Sequence, residues 1–328
     1  MTPAATNPDR LRPLSAAPSS TASDAKRAAP PLLQVRRLTR HFGGLTAVSD
    51  LDFDLQRSEI LALIGPNGAG KSTTFNMIAG TLAPSAGEIL LEGESVGTYP
   101  PHRLASLGVM RTFQHNCLFP GMSLRENVLT GMHGALQRPL WKVMLALRAQ
   151  REAEARAWQY ADELLEFVGL ADQRDQPVAT LSFGQGRLLE TARALAGRPK
   201  LILFDEPAAG LTPSECERMA LILRQIARQG TGVLLIEHDM PFLLPLADQV
   251  VVLNFGQCIA SGTADEIRAD PEVIEAYLGS RHGAADPAKN VPASTDCANV
   301  QLSSADSVDN RPAVASTVSG ATSGAADA

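Results

Sequence analysis

Aromatic side chains are scarce, at 5% of 328 residues, and none precedes Phe42 or follows Tyr277. Cysteine is scarcer still. Cys117, Cys216, Cys258 and Cys297 stand apart with no C-x-x-C pair, which excludes a disulfide scaffold and leads us to expect the reduced thiols of a cytoplasmic protein. No apolar run approaches the ~18 residues that a membrane-spanning helix needs, so any membrane role has to come through a partner. The N-terminal segment also lacks the apolar stretch of a secretory signal. Positive net charge is missing as well: 29 Lys and Arg against 35 Asp and Glu leave −6 at pH 7. That balance argues against binding nucleic acid by bulk charge.

The aromatic-free ends share a composition. Residues 1–31 and 281–328 are rich in Ala, Pro, Ser and Thr and show no apolar periodicity, so neither buries enough surface to offset its ordering entropy, and both are expected to be disordered tails. Their small charges, of opposite sign, cancel, which places the acidity in residues 32–280. That stretch fits one domain, and it contains no internal repeat. Short apolar runs at 60–64, 201–204, 233–236 and 250–253 alternate with helical patterns. Strands this apolar are buried on both faces, so the fold class is α/β with a parallel sheet. The charged, helically periodic stretch 141–169 reads as a helical insertion.

Directly after the run 60–64 comes Gly65-Pro66-Asn67-Gly68-Ala69-Gly70-Lys71-Ser72-Thr73. This fits G-x-x-x-x-G-K-[ST] between a strand and a helix, the context the motif requires. Backbone N–H groups of such a loop curl around a β-phosphate while the helix points its positive end at it. Lys71 would reach the β- and γ-phosphates, and the Ser72 hydroxyl would ligate Mg²⁺. The stretch therefore reads as a nucleoside-triphosphate site. A second buried run ends in Asp205-Glu206-Pro207. Asp205 is placed to hold Mg²⁺ through water, and Glu206 to polarise an attacking water.

With Leu181-Ser182-Phe183-Gly184-Gln185 the sequence resembles the ATP-binding cassette (ABC) ATPases, over nearly all of residues 32–279. Ser182 is a plausible N-cap for a helix carrying Leu188, Leu189, Ala192 and Leu195. The resemblance implies a P-loop ATPase core with a parallel sheet, an antiparallel β subdomain and a helical signature subdomain at about 115–195. It implies ATP with Mg²⁺ as the bound species, and ATP hydrolysis. Ser182, Gly184 and Gln185 would contact the γ-phosphate held by a second ATPase subunit. Phe42 resembles the aromatic that stacks on adenine. Gln114 resembles the glutamine that senses Mg²⁺ and water and faces the membrane partner. His238 resembles the switch histidine that contacts the γ-phosphate and orients Glu206. Two segments depart from the usual pattern. Phe183 and Gly186 stand where Gly and a larger polar residue are frequent, and 208–213 lack the Asp often found there.

Finer wording narrows the branch. Arg111-Thr112-Phe113-Gln114, the segment 118–123, Asn127-Val128-Leu129-Thr130-Gly131, Ile236-Glu237-His238-Asp239-Met240 and 273–279 look like the ATPase of bacterial high-affinity branched-chain amino acid importers. That likeness implies a sister ATPase as heterodimer partner, two membrane permeases, an indirectly coupled periplasmic binding protein, and a peripheral place on the cytoplasmic face of the inner membrane. Leu118, Phe119 and Trp141 are candidates to meet the permease, and packing within the subdomain is the rival reading for each. Urea and amides are cargo alternatives to branched-chain amino acids. An export-type cassette such as that of lipopolysaccharide transport stays open. So does a soluble cassette ATPase, although no second cassette or coiled-coil insertion is present. A P-loop kinase or GTPase fits less well, since no N-K-x-D guanine signal occurs.

Overall fold

The computed structural model describes residues 30–112, 118–132 and 147–282. Gln114, Trp141 and nearly all of both tails lie outside the described residues. The chain opens with β1 (Leu33–Phe42), β2 (Leu45–Leu55), β3 (Ile60–Ile64), α1 (Lys71–Ile78), β4 (Ala86–Leu91) and β5 (Glu94–Ser95). It continues through α2 (Pro101–Leu107), β6 (Val109–Arg111), α3 (Leu124–Thr130), α4 (Leu147–Phe167) and α5 (Phe183–Ala196). Next come β7 (Leu201–Asp205), α6 (Pro213–Arg228), β8 (Gly232–Ile236) and α7 (Met240–Leu243). It closes with β9 (Gln249–Asn254), β10 (Gln257–Gly262), α8 (Ala264–Ala269) and α9 (Pro271–His282).

The strands form two sheets. One is antiparallel in the order β2-β1-β4-β5. The other has the order β10-β9-β3-β8-β7-β6 and is parallel except for the terminal β10. Every residue of β3, β7 and β8 is buried. Alternation explains why. Ile60, Ala62, Ile64, Ile202, Phe204, Val233 and Leu235 pack with residues of α3 to α7. Leu61, Leu63, Leu201, Leu203, Leu234 and Ile236 turn the other way, onto β1, β2, β4 and α1. The register pairs Ile60 and Ile202 with Val233, so each strand sends matching positions to the same layer. A sheet covered on both faces needs continuous apolar strands, and these supply them. At roughly 1.5–3 kcal/mol per large apolar side chain removed from water, the two layers outweigh surface ion pairs such as Arg36–Asp54, worth about 0–1 kcal/mol.

Four helices, α3, α5, α6 and α8, are begun by their own side chains. Ser123 with Glu126, Ser182 with Gln185, Thr212 with Glu215, and Thr263 with Glu266 each form a reciprocal capping box. The helical layer is further tied by Arg125, whose guanidinium donates to both oxygens of Asp162 at 2.7 and 2.8 Å. Asn127, fully buried, accepts from the Phe119 N–H and donates to the Phe119 and Ser123 carbonyls. It thereby fixes the loop that precedes α3. Because β3, β8 and β7 are neighbours running in one direction, the segments that leave their carboxyl ends open on a shared edge. In open α/β sheets that edge is where ligands bind.

Candidate active site

The loop leaving β3 is shaped by backbone contacts that exclude side chains. A Cβ at Gly65, whose φ is +146°, would sit 2.1 Å from the Leu253 carbonyl oxygen. At Gly70, with φ of +102°, it would sit 2.5 Å from the Ala47 carbonyl oxygen. Both positions therefore require glycine. The turn joining β9 to β10 props the loop from beside it, since the Gly256 N–H donates to the Ala69 carbonyl at 3.0 Å. Lys71 opens α1 and is 6% exposed. Its Nζ donates to the Gly65 and Pro66 carbonyls at 2.7 and 2.9 Å. Burial lowers its pKa, and the nearby Glu206 charge opposes that shift.

The acidic side of the site comes from the ends of β7 and β8. Asp205 is 6% exposed, and its Oδ2 lies 3.2 Å from an Arg111 guanidinium nitrogen. Burial raises the Asp205 pKa, while Arg111 pulls it down. Arg111 in turn donates to Asn76 Oδ1 at 2.6 Å and lies over the Phe75 ring, so the end of β6 is tied to α1. Glu206 takes a left-handed conformation with φ of +52°. Its N–H still donates to the Ile236 carbonyl at 2.9 Å, while its carboxylate turns to His238 and hydrogen-bonds Nε2. Directly before His238 lies Glu237, only 3% exposed. Its Oε1 accepts from the Ala208 N–H at 2.7 Å and its Oε2 from the His238 N–H at 3.0 Å.

Thus Lys71, Asp205, Glu206 and His238, picked from sequence for different reasons, gather at one sheet edge. Ser182 and Gln185 instead bond to each other. The Ser182 Oγ accepts from the Gln185 N–H at 3.2 Å, and the Gln185 Oε1 accepts from the Ser182 N–H at 2.9 Å. They cap α5, a role the sequence reading assigned to Ser182 alone. Ser182→Ala should destabilise the fold by roughly 0.5–2 kcal/mol through loss of this cap, measured as a shift of the denaturant midpoint. An unchanged midpoint would contradict that cap. Phe183, 49% exposed, lays its ring against Gly210 and receives the Arg187 guanidinium on its face. Its size thus bridges the start of α5 to the segment following Glu206. Phe42, 45% exposed, ends β1 with Arg40 over its ring. Leu118 is partly buried against the core, whereas Phe119 is 48% exposed.

In the sequence Arg111 and Glu237 stand out only as parts of longer segments. The signals available were a basic residue closing one strand and an acidic one directly before His238.

Whether these residues suit Mg²⁺ is a question of donors. The ion prefers hard oxygen ligands and is often held by one or two protein groups plus substrate phosphates. Ser72 offers a hydroxyl, and Asp205 a carboxylate whose burial disfavours its bare charge. Among the described residues no group of three or more His, Cys, Asp or Glu is arranged to hold a metal unaided. The donor set therefore fits an ion shared with a nucleotide.

The profile described as ABC transporter matches residues 48–209, and that of the branched-chain amino acid ATP-binding cassette transporter matches 257–283. The chain is 42% identical to the high-affinity branched-chain amino acid transport ATP-binding protein BraF of Pseudomonas aeruginosa, over 76% of this chain and 98% of that one. It is 40% identical to the corresponding LivG protein of Escherichia coli K12, with the same coverage. The lipopolysaccharide export ATP-binding protein LptB of Haemophilus influenzae is 32% identical, again over 76% of this chain. In structure it resembles the ADP conformation of an ATP-binding cassette of an ABC transporter, with a TM-score of 0.67 at 30% identity over 76% of this chain and 100% of the other. The chain belongs to the ATP-binding cassette transporter ATPases.

Proposed function

We propose that this chain is the ATP-hydrolysing subunit of a membrane importer, powering uptake of branched-chain amino acids or related small polar solutes such as urea and amides. The observation that carries the cargo class is the match of 257–283 to the branched-chain cassette profile, beyond the general ATPase core. The 42% and 32% identities to the import and export relatives point the same way. No described helix is long and apolar enough to cross a membrane. In this reading, coupling to transport runs through permease subunits, as the transport relatives suggest. The fuller assembly we propose is a sister ATPase, two permeases and a periplasmic binding protein, with this chain peripheral on the cytoplasmic membrane face.

In this reading the nucleotide lies on the loop Gly65–Thr73, with adenine against Phe42. Lys71 carries charge to the phosphates, and the buried environment makes that charge count for more than it would in water. Ser72 and Asp205 would hold Mg²⁺, with Gln114 completing the set, and the ion would neutralise phosphate charge. Arg111 holds the Asp205 carboxylate in place through its contact at 3.2 Å. Glu206 orients the attacking water, and His238 fixes Glu206 by the hydrogen bond between them. Ser182, Gly184 and Gln185 serve the γ-phosphate bound to the partner subunit, at a helix start whose dipole favours an anion. Most of the catalysis on this account is positioning and preorganised charge.

Affinity purification of the tagged chain from membranes tests the assembly. The expected result is copurification of two permeases and a second cassette ATPase, with labelled leucine uptake lost when the chain is deleted. Copurification of lipopolysaccharide-export components, or intact leucine, urea and amide uptake after deletion, would contradict it.

A further inference from the structure

Glu237 is a carboxylate placed where burial alone would disfavour one. It is 3% exposed and lies on the segment leaving β8. Its two oxygens serve two different segments. Oε1 accepts from the Ala208 N–H, two residues beyond Glu206, and Oε2 accepts from the N–H of His238. Burial pushes the pKa of Glu237 up and these backbone donors oppose it. A charged group held in that way is costly unless its bonds persist together.

We infer that Glu237 is a positioning residue that locks the segment bearing His238 to the segment bearing Glu206. The inference rests on the reading of Glu206 and His238 as the hydrolytic pair, and it gives the pair its fixed separation. The left-handed backbone at Glu206, with φ of +52°, is a conformation that non-glycine residues rarely hold without surrounding support. The Ile236 carbonyl supports it on one side and the Glu237–Ala208 bond on the other. Without the clamp, each catalytic segment would relax alone. Glu206 and His238 would then meet only part of the time, while the loop Gly65–Thr73 kept its own contacts.

The test is a double-mutant cycle on the full-length chain, in the transporter complex purified from its membranes. Glu237→Gln keeps the shape but turns an amide NH₂ toward a backbone N–H. The expected loss in kcat is roughly 10- to 50-fold, with KM and the affinity for a fluorescent ATP analogue changed less than about threefold. In a His238→Ala background the same substitution should cost less than about threefold, because its partner in the effect is gone. A merely structural role would instead lower turnover equally in both backgrounds. That equal loss, or wild-type turnover of Glu237→Gln beside a crippled His238→Ala, would overturn the inference alone. Full turnover of His238→Ala would overturn both the inference and the reading beneath it. Glu237→Asp, which keeps the charge but shortens the reach, repeats the cycle if the amide blocks folding.

Discussion

Replacing Glu206 by Gln is expected to leave ATP bound and to slow its hydrolysis by roughly 10²- to 10⁴-fold, the usual contribution of a positioned general base. The change is isosteric, so the support from Ile236 to the Glu206 N–H stays. What goes is the carboxylate that hydrogen-bonds His238 Nε2. An amide cannot take a proton from water, nor polarise it as an anion does. Lys71 and its contacts to the Gly65 and Pro66 carbonyls are untouched, and with them the binding of phosphate. Fluorescent-nucleotide binding beside phosphate release separates the two effects. Turnover within tenfold of wild type would remove Glu206 from the role given it.

Lys71→Ala has the opposite signature, loss at the binding step itself. Hydrogen bonds to charged groups are worth about 1.5–3 kcal/mol each, so losing the ammonium should weaken ATP binding roughly 100-fold or more. The free fold also suffers, because the two carbonyls that Nζ now satisfies lose their donor. Lys71→Arg is expected to fare little better. Lys71 is 6% exposed and its ammonium meets two carbonyls at once, a compact geometry that a planar guanidinium fork does not reproduce. Equilibrium binding of a fluorescent ATP analogue decides the matter. Affinity within threefold of wild type for either variant would contradict the site.

The parts of this protein that repeat a simple period are legible in its sequence. The runs around Ile60, Leu201, Val233 and Val250 became adjacent strands because a sheet buried on both faces admits few other residues. Ser182 announced a helix start and proved to cap it. The antiparallel sheet was less legible. Its strands carry alternating burial and irregular register, so β1 and β2 follow no long clean pattern. Buried charge was hidden altogether. Arg187 and Glu190 on α5 are charged types that give no sequence sign of burial, yet they are 6% and 2% exposed and paired at 3.6 Å. The partners of the site residues were hidden for a related reason. Arg111 meets Asp205 across 94 positions of sequence and Glu237 meets Ala208 across 29, and only the strand order brings them together. Gln114 lies outside the described residues, so its proposed part rests on its spacing and family likeness.

The central claim is that ATP hydrolysis at this site drives solute import. Proteoliposomes carrying the complete transporter, with ATP on the side of this chain and binding protein plus labelled leucine on the other, test it most directly. The account predicts ATP-dependent accumulation with the wild-type chain and none above background with Glu206→Gln. Accumulation at an equal rate with both chains would contradict it.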